Sequence, residues 1–138
     1  FHAVLNYDGQ LTNQHGIHSR FEGELFSRYK DKLSVKPPPI APVTEPRDFI
    51  FNTLLESSRL VEPILQADRV AIAGREAYDD AYFDRFFGTA RPVVERRLGE
   101  SIAAVAAAIA GAWEKGGRPD LPLEPARPAS RVRRATGE

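Results

Sequence analysis

Cysteine is absent from this 138-residue chain, so neither a disulfide nor a thiolate zinc site is open to it. Methionine is absent as well, and the chain opens on Phe1. That beginning reads as a processed end or as a cut through a longer protein, and no signal peptide is visible after it. Net charge is zero, which removes the global field that draws basic proteins to nucleic acid or anionic lipid. The longest apolar run, Ile102 to Ala112, is mostly alanine. It is too short to cross a bilayer and is expected to be a packed helix, with no membrane span. Strand-like alternation is missing throughout, which leaves helices as the source of a core.

What is present divides the chain by composition. Asn6, Asp8, Gly9 and Asn13 are turn formers with no sustained period, so residues 1–15 read as a loop. Ile17, Phe21, Leu25, Tyr29 and Leu33 recur every four residues and predict a helix over 16–33. Pro37, Pro38, Pro39, Pro42 and Pro46 predict a stiff, extended connector. Thr44 offers an N-cap for the next helix, with Pro46 in its first turn. Phe49, Ile50, Leu54, Val61, Ile64 and Leu65 carry that helix toward Ala73, with a kink or break at Pro63. A short aromatic helix (Tyr78, Tyr82, Phe83, Phe86, Phe87) is expected to end at Gly88, with Thr89 capping a last helix over 90–115. That helix has an apolar stripe (Val94, Leu98, Ile102, Val105, Ile109, Trp113) and a small face (Ala103, Ala106, Ala107, Ala110) suited to a neighbouring helix. Gly116-Gly117 supplies a left-handed stop. Residues 118–138 are rich in proline and arginine, bury little, and are expected to be a disordered tail. The fold class is all-α: an irregular multi-helix bundle over 1–117.

His18 and Glu22 are four residues apart on the first helix, hence on one face and one turn apart. An imidazole and a carboxylate so placed suit zinc, and His2, across the loop, can swing in as a third ligand. Three ligands and an open position describe a catalytic zinc rather than a structural one.

Phe1-His2-Ala3, a polar loop, and then Gly16-Ile17-His18-Ser19-Arg20-Phe21-Glu22 resemble a signature of the zinc-dependent phospholipase C and single-strand-specific nuclease superfamily. There a histidine ends an apolar turn, a loop follows, and a helix bears His-x-x-x-Glu or His-x-x-x-Asp. The resemblance implies an all-helical phosphoester hydrolase in which His2, His18 and Glu22 bind one zinc of a three-zinc cluster. It further implies a phosphodiester substrate, phospholipid or nucleic acid, and a secreted or periplasmic location. The superfamily's remaining ligands precede this turn, so the chain is expected to be the C-terminal part of such an enzyme and inactive alone. On this reading the stripe over 17–33 lacks its partner helices, which would lower thermal stability.

The same residues admit plainer roles. A His-x-x-x-Glu pair is often a surface hydrogen bond. His15 is expected in solvent or behind the ligands, Asp8 in a turn with Gly9, and Arg20 in solvent on the outer face of its helix. The aromatic residues at 49, 51, 78, 82, 83, 86 and 87 are expected in the core rather than on a stacking platform. The tail arginines at 127, 131, 133 and 134 are expected to solubilise. The competing function is a non-catalytic helical bundle that works through a partner-binding face.

Overall fold

The computed structural model of the chain describes residues 6–120. His2 and the tail from 121 to 138 therefore lie outside the described residues. The fold is all-α, and no strand occurs among the described residues. Helix α1 (residues 17–32) is followed by an extended segment, then α2 (Pro46–Arg59), α3 (Val61–Ile72) and α4 (Asp80–Lys115).

The four-residue stripe of α1 faces the core. Ile17 and Leu25 are fully buried, Tyr29 nearly so, and Phe21 and Leu33 pack against the same cluster. A four-residue step overshoots an α-helical turn by about 40°, so five such residues would spiral away from one face. Here the turns widen: Ser19–Leu25 is π-helical, Phe26–Tyr29 is α-helical, and Lys30–Lys32 tightens to 3-10 geometry. A π-helical run is rare and concentrates at functional sites. The stripe does have partners, namely α3 and α4.

Glu45, not Thr44, occupies the N-cap of α2, without a side-chain bond, and Pro46 starts the helix. Proline fits there because the first helical amide has no acceptor to meet. The chain breaks at Leu60, and Pro63 falls in the first turn of α3, as its ring requires. α3 contributes Ile64, Leu65, Ala67 and Ala71 to the core, whereas α2 buries no residue fully.

The aromatic segment and the last helix are one continuous helix. α4 runs 36 residues from Asp80 to Lys115, through both Gly88 and Pro92. It starts where the Asp79 carboxylate accepts the Tyr82 amide at 2.8 Å. Local breakers are overridden because Tyr82, Phe83, Phe86, Phe87, Ala90 and Val94 form an unbroken buried face on both sides of Gly88. Tyr29 stacks on Phe87 at 4.2 Å between ring centroids and donates a 2.7 Å bond to Asp84. Burial, then that bond, pushes the Tyr29 phenol up to about 12. At the far end Gly117 adopts φ +82°. The Gly117 amide bonds the Glu114 carbonyl, and the Arg118 amide bonds that of Trp113, which is the Schellman pattern.

Of the small face expected on α4, Ala103 and Ala107 are buried, Ala110 is partly buried and Ala106 is exposed; what covers this side of the helix is not another helix but the proline segment. Gly99, Ala103, Ala107 and Gly111 are buried beneath it. The Val43 amide donates to the Ala107 carbonyl at 3.0 Å. A Cβ on Gly99 would stand 2.7 Å from the Lys36 carbonyl oxygen, and one on Gly111 would collide with the Val43 backbone. A helix cannot come so near another helix axis, but an extended backbone can. Gly111→Ala is accordingly expected to cost about 1–3 kcal/mol through overpacking. Urea denaturation checks it; an unchanged midpoint would mean that the connector yields freely.

The apolar stripe of α4 splits in two. Val94 is buried and Leu98 packs against the core, while Ile102, Val105, Ile109 and Trp113 are exposed. The expectation of a packed helix over 102–112 therefore holds only for Ala103, Ala107 and Gly111. Ile50, Phe51, Leu54 and Leu55 on α2 are exposed as well. Among the described residues no helix is long and apolar enough to cross a membrane.

Candidate metal-binding site

The loop before α1 is a compact set of turns. The Gly9 amide bonds the Asn6 carbonyl, and the Thr12 and Gln14 amides both bond the Gly9 carbonyl. Gly9 has φ +71°, and a Cβ there would meet the Gln14 carbonyl at 2.5 Å, so glycine is required on two counts. Asp8 sits in this turn as expected. Its carboxylate also accepts the His18 amide at 3.3 Å, satisfying a donor at the start of α1.

His18 and Glu22 lie together on the outer side of α1. His18 Nε2 is 3.0 Å from Glu22 Oε2, with both side chains partly exposed. The Tyr7 ring meets the His18 imidazole edge-on at 5.7 Å. Two zinc bonds of about 2.0–2.1 Å at a tetrahedral angle separate their donor atoms by roughly 3.4 Å. The pair thus needs to open only slightly to share one ion, and in donor type and spacing it fits zinc. Among the described residues no group of three or more histidine, aspartate or glutamate side chains gathers; the third expected ligand, His2, lies outside them. His15 is exposed.

Arg20 does not point to solvent. It turns inward, 6% exposed, and meets Asp68, which is 1% exposed. Asp68 lies on the apolar face of α3, four residues after Ile64 and three after Leu65. Arg20 Nη2 and Nε reach Asp68 Oδ1 at 3.1 and 3.3 Å, and the fully buried Tyr82 hydroxyl donates to the same oxygen. Gln14 Nε2 donates to Asp68 Oδ2 at 2.7 Å and to the Leu65 carbonyl at 2.8 Å. Arg20 also donates to the carbonyls of His15, at 2.8 Å, and Gln14, at 3.3 Å. Its guanidinium lies 3.9 Å from the Tyr78 ring centroid.

Burial penalises the Arg20 charge, but the Tyr82 hydrogen bond and the Asp68 charge outweigh it and leave the group above its usual range. Burial, and then the bond to Asp68, raise the Tyr82 phenol, so it stays a donor. Sequence reasoning missed Asp68 and Gln14 and misplaced Arg20. A signal for Asp68 was present: the period of Val61, Ile64, Leu65 and Ile72 puts position 68 on the apolar face. Gln14, in a loop, had none.

No family model, curated protein or solved structure matches the chain.

Proposed function

We propose that the chain carries zinc ligands of a phosphoester hydrolase, with His18 and Glu22 as two ligands to one ion and His2 as the third. The observation that carries this reading is the convergence of His18 Nε2 and Glu22 Oε2, 3.0 Å apart and partly exposed, at the entry to a π-helical run. Chain reach supports the third ligand: Tyr7 touches His18, and the five residues from Tyr7 back to His2 span up to about 17 Å. The resemblance of this stretch to the zinc-dependent phospholipase C and nuclease superfamily supplies the reaction class. Bound zinc would polarise a phosphoryl oxygen and bring the pKa of a coordinated water to about 7. His18 and Glu22 would hold the ion, and Asp8 would fix the start of the helix that presents them. The substrate is a phosphodiester, of the phospholipid or nucleic-acid kind, and export from the cytoplasm accompanies the same reading.

Calorimetric titration of the whole chain with zinc tests it. One zinc per chain is expected, with affinity falling more than about a hundredfold in His18→Ala, beyond the usual range for residues that only support a ligand. Glu22→Gln should weaken binding too, because the amide is a poorer ligand. No binding by the wild type, and no difference in Glu22→Gln, would favour the second reading, a non-catalytic helical interaction module. The specific support for that reading is the exposed apolar side chains of α2 and the outer half of α4.

A further inference from the structure

We propose that the buried Arg20–Asp68 ion pair, with Tyr82 and Gln14, is a positioning device for the His18–Glu22 turn. The proposal rests on the zinc reading above and deepens it.

Arg20 lies between the two candidate ligands in sequence and points to the opposite side of the helix, into the core. It is bound to three parts of the molecule at once. Asp68 holds it from α3, Tyr82 holds it from α4, and the carbonyls of Gln14 and His15 hold it from the loop. That loop also carries Asp8, which bonds the His18 amide. The guanidinium therefore sets both how α1 is rotated and where the loop that caps it lies. At Gly16 (φ +80°) a Cβ would come within 3.1 Å of Arg20 Nη1, so loop and guanidinium are closely fitted.

Stability alone is a poor reason for such a cluster. Burying two charges costs several kcal/mol per ion in desolvation, and an apolar pair of similar volume is often as stable or more so. Directional bonds add to the apolar stripe of α1 a sharper constraint on rotation about the helix axis. Groups that orient metal ligands from behind are worth tenfold to a hundredfold in metal affinity.

The test compares the full chain with Arg20→Met/Asp68→Leu, an apolar replacement of both charges, and with Tyr82→Phe, which removes one hydroxyl. Three quantities are read: melting midpoint, zinc affinity, and nuclear Overhauser contacts of the His18 ring with Glu22 and Tyr7 in the metal-free protein. The double variant is expected to recover most of the stability that Asp68→Leu alone loses, yet to bind zinc at least about tenfold more weakly and to lose those contacts. Tyr82→Phe should show smaller changes in zinc affinity and contacts in the same direction, and it carries the comparison if the double variant does not fold. Retained contacts with unchanged zinc affinity would overturn the proposal. If the wild type binds no zinc, the metal reading fails separately: lost contacts in the variants still support positioning, and retained contacts still overturn it.

Discussion

Asp68→Leu alone is expected to cost about 3–5 kcal/mol, because it leaves the Arg20 guanidinium buried without a counter-ion. Asp68 is the meeting point of Arg20, Tyr82 and Gln14. Its removal also orphans the Tyr82 hydroxyl and one amide bond of Gln14, each a further desolvation penalty. A loss of this size is a large part of the roughly 5–15 kcal/mol that holds a domain folded. Urea denaturation followed by the helical circular dichroism signal measures it. The informative contrast is with the double replacement, Arg20→Met/Asp68→Leu, which should recover most of the loss because no charge is then stranded. A single variant as stable as wild type would mean that Arg20 escapes to solvent, and that the knot is looser than its bond lengths state.

Phe86→Ala should be comparably severe, at about 3–5 kcal/mol. Phe86 is fully buried at the junction of α1 and α4, with its ring centroid 6.1 Å from that of Phe21 and 5.6 Å from that of Tyr82. Those two rings are held by their own helices and cannot close in on the space that remains. The cost therefore combines lost burial with a persisting cavity. Phe51→Ala removes the same atoms from α2, where Phe51 is 55% exposed. Its effect should stay within about 0.5 kcal/mol. Equal losses at the two positions in urea titrations would contradict the assignment of the core to α1, α3 and α4.

Spacing made much of this fold readable in advance. The stripe of α1, the extended proline segment, the interruption ahead of Pro63 and the glycine stop after Lys115 all follow from local chemistry. The errors have separate causes. Gly88, Thr89 and Pro92 look like a helix boundary in isolation, but the aromatic face around them is continuous only if the helix is, and tertiary burial outweighs the local signal. The small residues of α4 announced a close approach without saying what approaches. Polarity misled at Arg20, because its residue type alone predicts solvent, and Asp68 went unread although the apolar period places it inside. At the candidate site the adjacency of His18 and Glu22 was legible from a four-residue interval. What steadies them from beneath was not, since it joins positions about 50 residues apart in sequence.

The chain has a single tryptophan, and it is at the far end of the long helix. Trp113 is 40% exposed, and its indole Nε1 donates to the Pro119 carbonyl at 3.0 Å. By helical rise it stands about 28 Å beyond Val94, the last buried residue that α4 gives to the aromatic core. Intrinsic tryptophan emission will thus track the hook at that extremity and its fraying. The aromatic interior is made of tyrosine and phenylalanine, and its melting should be followed through tyrosine absorbance or near-ultraviolet dichroism, where the two processes are expected to separate in temperature.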